Sequence, residues 1–443
     1  MTPNADAIAA FAIQLASDPL PHEAAEAARM CLVDWLGVAL GADAEGAALA
    51  VRRVVAGWGG QGGAQLLLGA TTSAAAAALV NGTMAHCLDF DDTHVGCLAH
   101  LSGPSWAAAF ALGTHLDATP GQMLAAFTAA FESAGRLGGH GLGDALNERS
   151  IHSTGVFGCL AAAVASATAL QLDKDGIKRA LGAAATQAAG LTASFGTMAK
   201  PFHAGKAAWN GVVSAELAQA GFTPALDLLE TDGGLANALV QDQSVPMSPI
   251  AFDEGWELLR NTFKPYASCL LTHPVIDAAR ELAGRVPLQH IDHIRIGVHP
   301  MAIQLAGKTA PCLPLEGKFS TAFCAALALA GHPASNADFT GLRLADPALQ
   351  DLARRTELIA EPAQPKTAAW LELTTHAGER LRAETPLARG NPGRPMNWDD
   401  MEAKFTALAE PVLGRDTPTL FIHARRFATP ADLAAIRRIT SRR

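Results

Sequence analysis

The sequence is poor in charged residues, which make up only 17% of its 443 positions, whereas hydrophobic residues make up 49%. This balance excludes a largely disordered chain and allows a large buried core, and the length favours two domains. The formal net charge is −9, and no run of Lys or Arg exceeds two residues. Nucleic acid is therefore excluded as the main partner. A small anionic substrate is still compatible, because a local cationic pocket can lie within an acidic surface.

Cysteine spacing and hydrophobic runs give two further exclusions. The seven cysteines form no CxxC pair and no regular framework, which favours a reducing cytosol and predicts a cytoplasmic protein. The first 20 residues have no basic region, so they predict an amphipathic helix and not a signal peptide. Residues 153–172 and 181–199 carry no charge, but Ala, Gly, Ser and Thr dominate both. Such segments predict closely packed helices of a buried bundle and not membrane spans.

Sequence motifs for common cofactors are also missing. There is no GxGxxG after a strand, no Walker loop and no GxSxG elbow. These absences argue against a nucleotide, a flavin or an acyl-enzyme, and we expect no cofactor. Histidines, aspartates and lysines remain, and these side chains can move protons beside carboxylates.

Residue periodicity predicts a mainly α fold with two parts. Helical spacing dominates the first 260 residues, and the tail returns to helix at 397–411 and 429–439. Between them, alternation predicts a strand at 290–300 and a hairpin at 368–390, with helices at 318–331 and 346–359. We therefore predict a large helical domain (1–265 plus 396–443) built from both chain ends, with an inserted α+β lid domain (266–395).

The stretch HCLDFDDTH (86–94) concentrates two histidines, three aspartates and a threonine. It could form a metal site, an acid–base centre or a solvated helix end. If it is helical, His86, Asp89 and Thr93 share one face and Asp91 and Asp92 point elsewhere. One histidine and one aspartate match no metal motif, so we predict no metal. The apolar segments on both sides favour a cleft.

Two histidines precede predicted helices. His100 stands before an apolar helix, where a histidine is more often a structural cap partner than a catalyst. His152 precedes a glycine-containing helix start, whose free N–H groups and positive dipole end can hold a carboxylate. Alternatively, Ser153 or Thr154 simply caps a buried helix there.

Two lysine-containing segments complete the candidates. TMAKPFHAGK supplies Lys200 and His203 at the edge of a predicted buried helix, where a lysine must pair or change its pKa. NTFKPYASCLLTHP supplies Lys264, Tyr266 (the only tyrosine) and Cys269 at the predicted domain boundary. Clefts between domains commonly hold small-molecule sites, so we take these residues as substrate-binding candidates.

Seven stretches in one order resemble the MmgE/PrpD family. They are LVNGTMAHCLDFDDTH (79–94), HLSGPS (100–105), HSTGVFG (152–158), KPFHAGKAAWNG (200–211), FKPYASCLLTHPVIDAA (263–279), GKFS (317–320) and RGNPGRPMNWDDMEAKF (389–405). The resemblance implies a helical domain from both chain ends, an inserted lid, a homodimer and a cofactor-free site between the domains. It also implies 2-methylcitrate dehydration, cis-aconitate decarboxylation or iminodisuccinate epimerisation, each of which manipulates a proton next to a carboxylate.

By this resemblance, the family's site residues fall on Asp89, Thr93, His100, His152, Lys200 and Lys264. We take His100, His152 and Asp89 as catalytic, and Thr93, Lys200, His203, Lys264, Tyr266 and Cys269 as substrate-binding. The decarboxylase branch has a histidine five residues after its lid lysine, where this chain has Cys269. One additional residue also separates Thr93 from His100 here. Both departures disfavour decarboxylation.

The sequence therefore predicts a cofactor-independent lyase that acts on a small di- or tricarboxylate, with dehydration favoured. Three alternatives stay open. An epimerase of an iminodisuccinate-like dicarboxylate would use His100 and His152 as its two bases. A decarboxylase of the cis-aconitate type is the second, and a dimeric carboxylate-binding protein without catalysis is the third.

Overall fold

The computed structural model describes residues 3–241, 245 and 247–441, and it is mainly α-helical. Its first half is a helical bundle with alanine-rich interfaces. The helices of this half are α1 (Asn4–Ser17), α2 (His22–Gly41), α3 (Gly46–Trp58), α4 (Ala74–His86), α5 (Ser102–His115), α6 (Pro120–Leu137), α7 (Leu142–Glu148), α8 (Ser153–Ala169), α9 (Lys174–Ala185), α10 (Ala199–Gln219) and α11 (Leu235–Val240). The predicted fold class is confirmed.

The helices at the centre of the bundle are nearly all-round buried, which explains why their sequences show little polar face. In α5 and in α8, every residue except the last one of each helix is buried. In α4, Ala75 is half-buried and all other residues are buried. Small side chains let α4 and α8 each pack closely against α10. Packing therefore fixes all three helices, and a side-chain cap, from Ser73, is present only at α4.

One predicted helix is wrong in part. Residues 181–199 do not form a continuous helix, because α9 ends at Ala185 and regular helix resumes only at Ala199. The intervening segment contains Gly190 and Gly196, and Gly196 has a φ of +85°, which a helix does not accommodate. This irregular segment carries Phe195 toward the site described below.

The second half contains an α+β unit around a four-stranded sheet. Its helices are α12 (His273–Leu282), α13 (Pro300–Ala306), α14 (Pro314–Gly317), α15 (Thr321–Leu329), α16 (Gly341–Leu344) and α17 (Pro347–Arg354). Four two-residue strands come earlier in the chain, namely β1 (Ala64–Gln65), β2 (Thr71–Thr72), β3 (Thr93–His94) and β4 (Asn261–Thr262). The sheet itself consists of β5 (Ile291–Val298), β6 (Thr356–Ala360), β7 (Ala369–Thr375) and β8 (Arg380–Thr385).

The sheet has the order β6-β5-β7-β8, with β6 parallel to β5 and the other pairs antiparallel. The predicted strand at 290–300 and the predicted hairpin at 368–390 are confirmed. The helix predicted at 346–359 is correct only as far as Arg354, after which β6 begins. Strand β6 consists of the five residues TELIA (356–360), and so short a run directly after a helix does not show a recognisable alternation of polar and apolar residues.

The tail forms α18 (Trp398–Leu413), α19 (Thr417–Arg426) and α20 (Pro430–Thr440). Helix α18 packs along α2, α19 also contacts α2, and α20 contacts α6. Both chain ends thus contribute to one helical core, although the residue bounds of the two domains stay a prediction. In the described part of the chain, no helix is both long and apolar enough to span a bilayer.

Candidate active site

The HCLDFDDTH stretch is a buried loop and not a helix. Helix α4 ends at His86, and Asp89 has a φ of +50°, in the left-handed region that breaks helical continuity. The predicted shared helical face of His86, Asp89 and Thr93 is therefore wrong. Asp89 and Thr93 nevertheless line one cavity, whereas His86 lies behind its wall and contacts Lys200.

Asp89 lies between two buried ammonium groups. Its carboxylate forms ion pairs with Lys200, at very short range, and with Lys264, at 3.4 Å, and all three residues are buried. Burial alone would raise the pKa of the Asp89 carboxyl, but Lys200 and Lys264 together hold it well below its usual range. Asp89 is thus ionised and balances one of the two positive charges.

Asp91 holds two histidines in one orientation. One of its carboxylate oxygens lies 2.9 Å from Nδ1 of His86 and 3.1 Å from Nδ1 of His100. The prediction that Asp91 points away from the site is therefore wrong. Each imidazole that donates from Nδ1 presents its Nε2 lone pair on the other side. In His86 that atom lies 3.0 Å from Nζ of Lys200.

Both of these imidazoles are in the neutral, basic form at neutral pH. Burial lowers the pKa of His86 to about 4, against the opposing effect of Asp91. Burial likewise lowers the pKa of His100 below its ordinary value. The Nε2 of His100 lies 3.8 Å from the Asp89 carboxylate and is directed toward the cavity. Asp91 thus fixes the orientation of the His100 ring, and a neutral imidazole held in this way is able to accept a proton.

A short closed loop connects Thr93 to His100. Backbone hydrogen bonds join His94 and Ala99 in both directions, and β3 pairs with β4. His94 fixes this loop through Nε2, which lies 2.8 Å from the carboxylate of Glu257. The backbone N–H of His100 donates to the hydroxyl of Thr154, at 3.0 Å. The position of His100 is therefore set by the fold.

His152 lies immediately before α8 and contacts His203. The two Nδ1 atoms are 3.0 Å apart, so one ring donates to the other. Burial lowers the pKa of His152 well below its ordinary value, and the positive charge of Lys200 lowers it further. Phe195 packs its ring against His152 with centroids 4.9 Å apart. The structure places His152 in the cavity wall, and His203 lies behind it.

These groups surround one cavity between the helical bundle and the α+β unit. Its polar wall consists of Asp89, Thr93, His100, Asn147, His152, Lys200, Lys264 and Cys269. Its apolar wall consists of Leu98, Phe195, Leu270, Leu271, Leu305 and Phe319. Seven of the nine site residues predicted from the sequence thus line one cavity.

The two predicted site residues that do not line the cavity are His203 and Tyr266. The hydroxyl of Tyr266 donates to the carboxylate of Asp277 at 2.5 Å, and Tyr266 is buried. Cys269 does line the cavity, and burial raises the pKa of its thiol to about 11. The thiol is therefore protonated at neutral pH and not a ready nucleophile.

Sequence reasoning missed several contributors. Asp91 was assigned to the wrong face, and Asn147 and Phe195 carry no motif signal. Phe319 belongs to the GKFS stretch of the family resemblance, where no role was assigned to it. Its ring and that of Phe195 each lie just over 5 Å from Nζ of Lys200. These rings shield the ammonium from solvent and interact favourably with its charge.

One group of potential metal ligands coincides with this site. His86, Asp89, Asp91 and His100 present ligand atoms within 4.8 Å of one another. The ammonium of Lys200 already contacts both His86 and Asp89, and Lys264 adds a second positive charge at Asp89. A divalent cation would meet strong repulsion there. The donor set thus fits a lysine-centred network better than a metal.

The fold and the cavity define a class of protein: a two-part, mainly helical chain with buried histidines, lysines and an aspartate around a cavity between its parts. The MmgE/PrpD N-terminal domain matches residues 6–248, and the MmgE/PrpD C-terminal domain matches residues 266–425. The chain belongs to the MmgE/PrpD family, as the sequence resemblance predicts.

Curated relatives carry the name cis-aconitate decarboxylase, which is a lyase. The Homo sapiens protein is 28% identical over 356 residues, which cover 77% of this chain and 73% of that protein. The Mus musculus protein is 27% identical over 359 residues, covering 77% and 72%. The Aspergillus terreus protein is 27% identical over 376 residues, covering 78% and 76%. These relatives are enzymes, and this chain is similar to them over most of its length.

Proposed function

We propose that the protein is a cofactor-independent lyase that acts on a small di- or tricarboxylate by moving a proton at the carbon next to a carboxylate. One observation carries this proposal. Basic imidazoles and two buried ammonium groups surround a single cavity, which Asp91 and Asp89 organise. Bases beside fixed cations suit abstraction of a proton from a carbon whose carboxylate is held by those cations.

Substrate carboxylates would bind at the two lysines and at the start of α8. Lys200 and Lys264 together carry one more charge than Asp89 neutralises. The free N–H groups at the N-terminus of α8, next to His152, could bind a second carboxylate of the substrate. The same cations would stabilise the enolate-like charge that develops when the neighbouring proton leaves.

His100 is our candidate for the base, because Asp91 orients it and its Nε2 is directed toward the cavity. In dehydration, His100 takes the proton, and the C–H electron pair forms the carbon–carbon double bond. The β-hydroxyl then leaves as water after it receives a proton from one of the lysine ammonium groups. His152 lines the same cavity and is our candidate for a second proton-transfer group.

Dehydration is the reaction that we favour, because Cys269 stands where the decarboxylase branch has a histidine and because one additional residue separates Thr93 from His100. After loss of carbon dioxide a carbanion needs a proton, and Cys269, with a thiol pKa of about 11, is a weak donor for it. Decarboxylation is the second candidate. It is supported by the names of the relatives and by the apolar wall, which would favour loss of charge from a carboxylate.

Proton NMR in deuterated water, with a panel of small polycarboxylates, tests the proposal. Dehydration gives an alkene, decarboxylation gives a product one carbon shorter, and epimerisation gives deuterium incorporation without loss of water or carbon dioxide. We expect turnover that survives EDTA and falls by roughly 10²-fold or more in His152→Ala and Lys200→Ala. His115→Ala, at an exposed position, is the matched control.

Full activity in both site variants would overturn the proposal. Calorimetric binding of carboxylates without any product would instead support a carboxylate-binding protein. We also propose a cytoplasmic homodimer, on the basis of the family resemblance and the cysteine pattern. Sedimentation analysis of the purified protein tests the dimer.

A further inference from the structure

Three lysines bind three consecutive backbone carbonyls of the loop that carries Asp89. Lys318 donates to the carbonyl of Leu88 at 2.5 Å, and Lys264 donates to the carbonyl of Asp89 at 2.8 Å. Lys404 donates to the carbonyl of Phe90 at 2.6 Å. We call Lys264, Lys318 and Lys404 the lysine clamp.

The members of the clamp come from three distant segments. Lys264 follows β4, Lys318 lies between α14 and α15 of the α+β unit, and Lys404 lies in α18 of the tail. Each lysine is at most 8% exposed. Burial of an ammonium group is unfavourable unless strong acceptors surround it. Three buried ammonium groups on one loop therefore indicate that the geometry of this loop is important.

Each clamp lysine also has a second partner that fixes its own position. Lys318 donates to the side-chain oxygen of Asn336 at 2.9 Å, and Lys404 pairs with Asp34 at 2.6 Å. Asp34 in turn accepts the backbone N–H of Asp92 at 3.0 Å. Lys404 and Asp34 thus fix the loop on both sides of Asp91, the residue that orients His100.

The clamped segment has an unfavourable backbone conformation. Asp89 is a non-glycine residue with a φ of +50°, a region that residues with a Cβ enter only at a cost in energy. In this conformation its carboxylate faces Lys200 and its carbonyl faces Lys264. The hydrogen bonds from the lysines to successive carbonyls compensate for that cost.

We propose that Lys318 and Lys404 are positioning residues, which hold Asp89 and Asp91 in the geometry that the reaction requires. Neither side chain lines the cavity, so neither is expected to touch the substrate. This inference rests on the proposed function, since it assigns the two lysines a role in that reaction. The rival explanation is that they only stabilise the fold.

The test uses Lys318→Met, Lys404→Met and the double variant, with Lys178→Met as control. Lys178 pairs with Asp6 at 3.2 Å, away from the loop. We expect kcat to fall by roughly 10²-fold in each clamp variant while KM changes by less than about threefold. We expect the double variant to lose little more than the worse single variant, because both act through one loop.

A second measurement needs no substrate. Histidine-labelled protein gives the titration of His100, whose signal is assigned with His100→Gln, and hydrogen exchange reports on residues 88–92. We expect the His100 titration to shift and the exchange to accelerate in both clamp variants and not in Lys178→Met. If a Met variant does not fold, Lys318→Gln and Lys404→Gln, which keep a donor, replace it in both measurements.

Folded clamp variants with wild-type kcat would overturn the inference, and so would an unchanged His100 titration together with unchanged exchange. The inference would also be overturned if the losses of kcat simply add in the double variant and match the loss in Lys178→Met, because that result would favour a purely structural role. Wild-type protein without any turnover would contradict the proposed function alone. The titration and exchange would then still decide whether the lysines hold the loop.

Discussion

Gly82 and Gly205 face each other where α4 crosses α10. A Cβ on Gly82 would lie 3.0 Å from Cα of Gly205, so the two helix backbones are in direct contact. Four residues beyond Gly82, α4 ends at His86, and five residues before Gly205, α10 carries Lys200. This glycine crossing therefore sets the separation of the His86 and Lys200 side chains, whose Nε2 and Nζ atoms lie 3.0 Å apart.

Gly205→Ala tests the importance of the crossing. The new Cβ would lie 2.0 Å from the hydroxyl of Thr83 and 2.4 Å from the carbonyl of Leu79, and that backbone cannot move freely. We expect the free energy of unfolding to fall by about 3 kcal/mol. We also expect kcat to fall, because Lys200 moves away from Asp89. Chemical denaturation and steady-state kinetics measure both effects.

Gly57→Ala is the control for this substitution. Gly57 lies in α3, and no atom lies within 4 Å of the Cβ that the change would add. The expected effect is a stabilisation of up to about 1 kcal/mol, because alanine favours helix more than glycine does. Wild-type stability and activity in Gly205→Ala would show that the crossing does not control the site.

Asp91→Asn tests the orienting role of this carboxylate. The amide removes the negative charge that accepts from Nδ1 of both His86 and His100. An imidazole in the wrong tautomer presents N–H and not a lone pair to the substrate. We expect kcat to fall by roughly 10²-fold or more. Steady-state kinetics give the loss, and nitrogen NMR of labelled histidine gives the tautomer.

The neighbouring Asp92→Asn provides a matched comparison. Burial and the charge of Asp34 raise the pKa of Asp92 to about 7. Its carboxylate accepts from Ser102 at 2.5 Å and from Asn261 at 2.6 Å, and it does not line the cavity. An amide resembles the protonated form that Asp92 already populates, so we expect a much smaller loss of kcat. Equal losses in the two variants would contradict a special role for Asp91.

The contrast between Asp91 and Asp92 shows where sequence reasoning succeeds and where it does not. Strands β5, β7 and β8 follow from the alternation of residue types in their sequences, whereas the central helices, which are buried nearly all round, follow from long runs of alanine and other helix-compatible residues. The resemblance brings His100, His152, Lys200 and Lys264 to one site. The direction of each aspartate depends on the left-handed backbone at Asp89, for which the sequence carries no local signal.

Contacts between distant segments are the other part that the sequence does not reveal. The apolar wall combines Leu98, Phe195, Leu270, Leu305 and Phe319, which belong to separate elements. Each of these residues alone resembles an ordinary core residue. The lysines of the clamp likewise lie far from Asp89 in sequence, and only tertiary packing brings their ammonium groups to its loop.

Two buried histidines predict a decrease in stability on acidification. Burial lowers the pKa of His86 to about 4 and that of His273 to about 3, whereas an unfolded histidine has a pKa of about 6.5. Below pH 6.5 the unfolded chain therefore binds protons that the folded chain does not. The free energy of unfolding therefore decreases as the pH is lowered below 6.5, by at most about 1.4 kcal/mol per pH unit for each histidine.

Denaturant unfolding between pH 7.5 and 4.5 measures this slope. We expect little contribution from these two histidines above pH 6.5 and a steady loss below it. In His273→Gln the slope should decrease by the contribution of one proton, which is at most about 1.4 kcal/mol per pH unit, because glutamine does not titrate. A slope that is unchanged in this variant would show that His273 is not buried in its neutral form.

Cys269→His tests why this chain departs from the decarboxylase pattern of its family. Cys269 lines the cavity, and its buried thiol, with a pKa of about 11, donates protons poorly. An imidazole at this position could protonate the carbanion that remains after carbon dioxide leaves. We expect decarboxylation of cis-aconitate to rise at least about tenfold, while dehydration does not improve. Proton NMR of the two products distinguishes the reactions, and Cys269→Ser controls for the loss of the thiol. Equal decarboxylation rates in the histidine and serine variants would show that this position does not select the reaction.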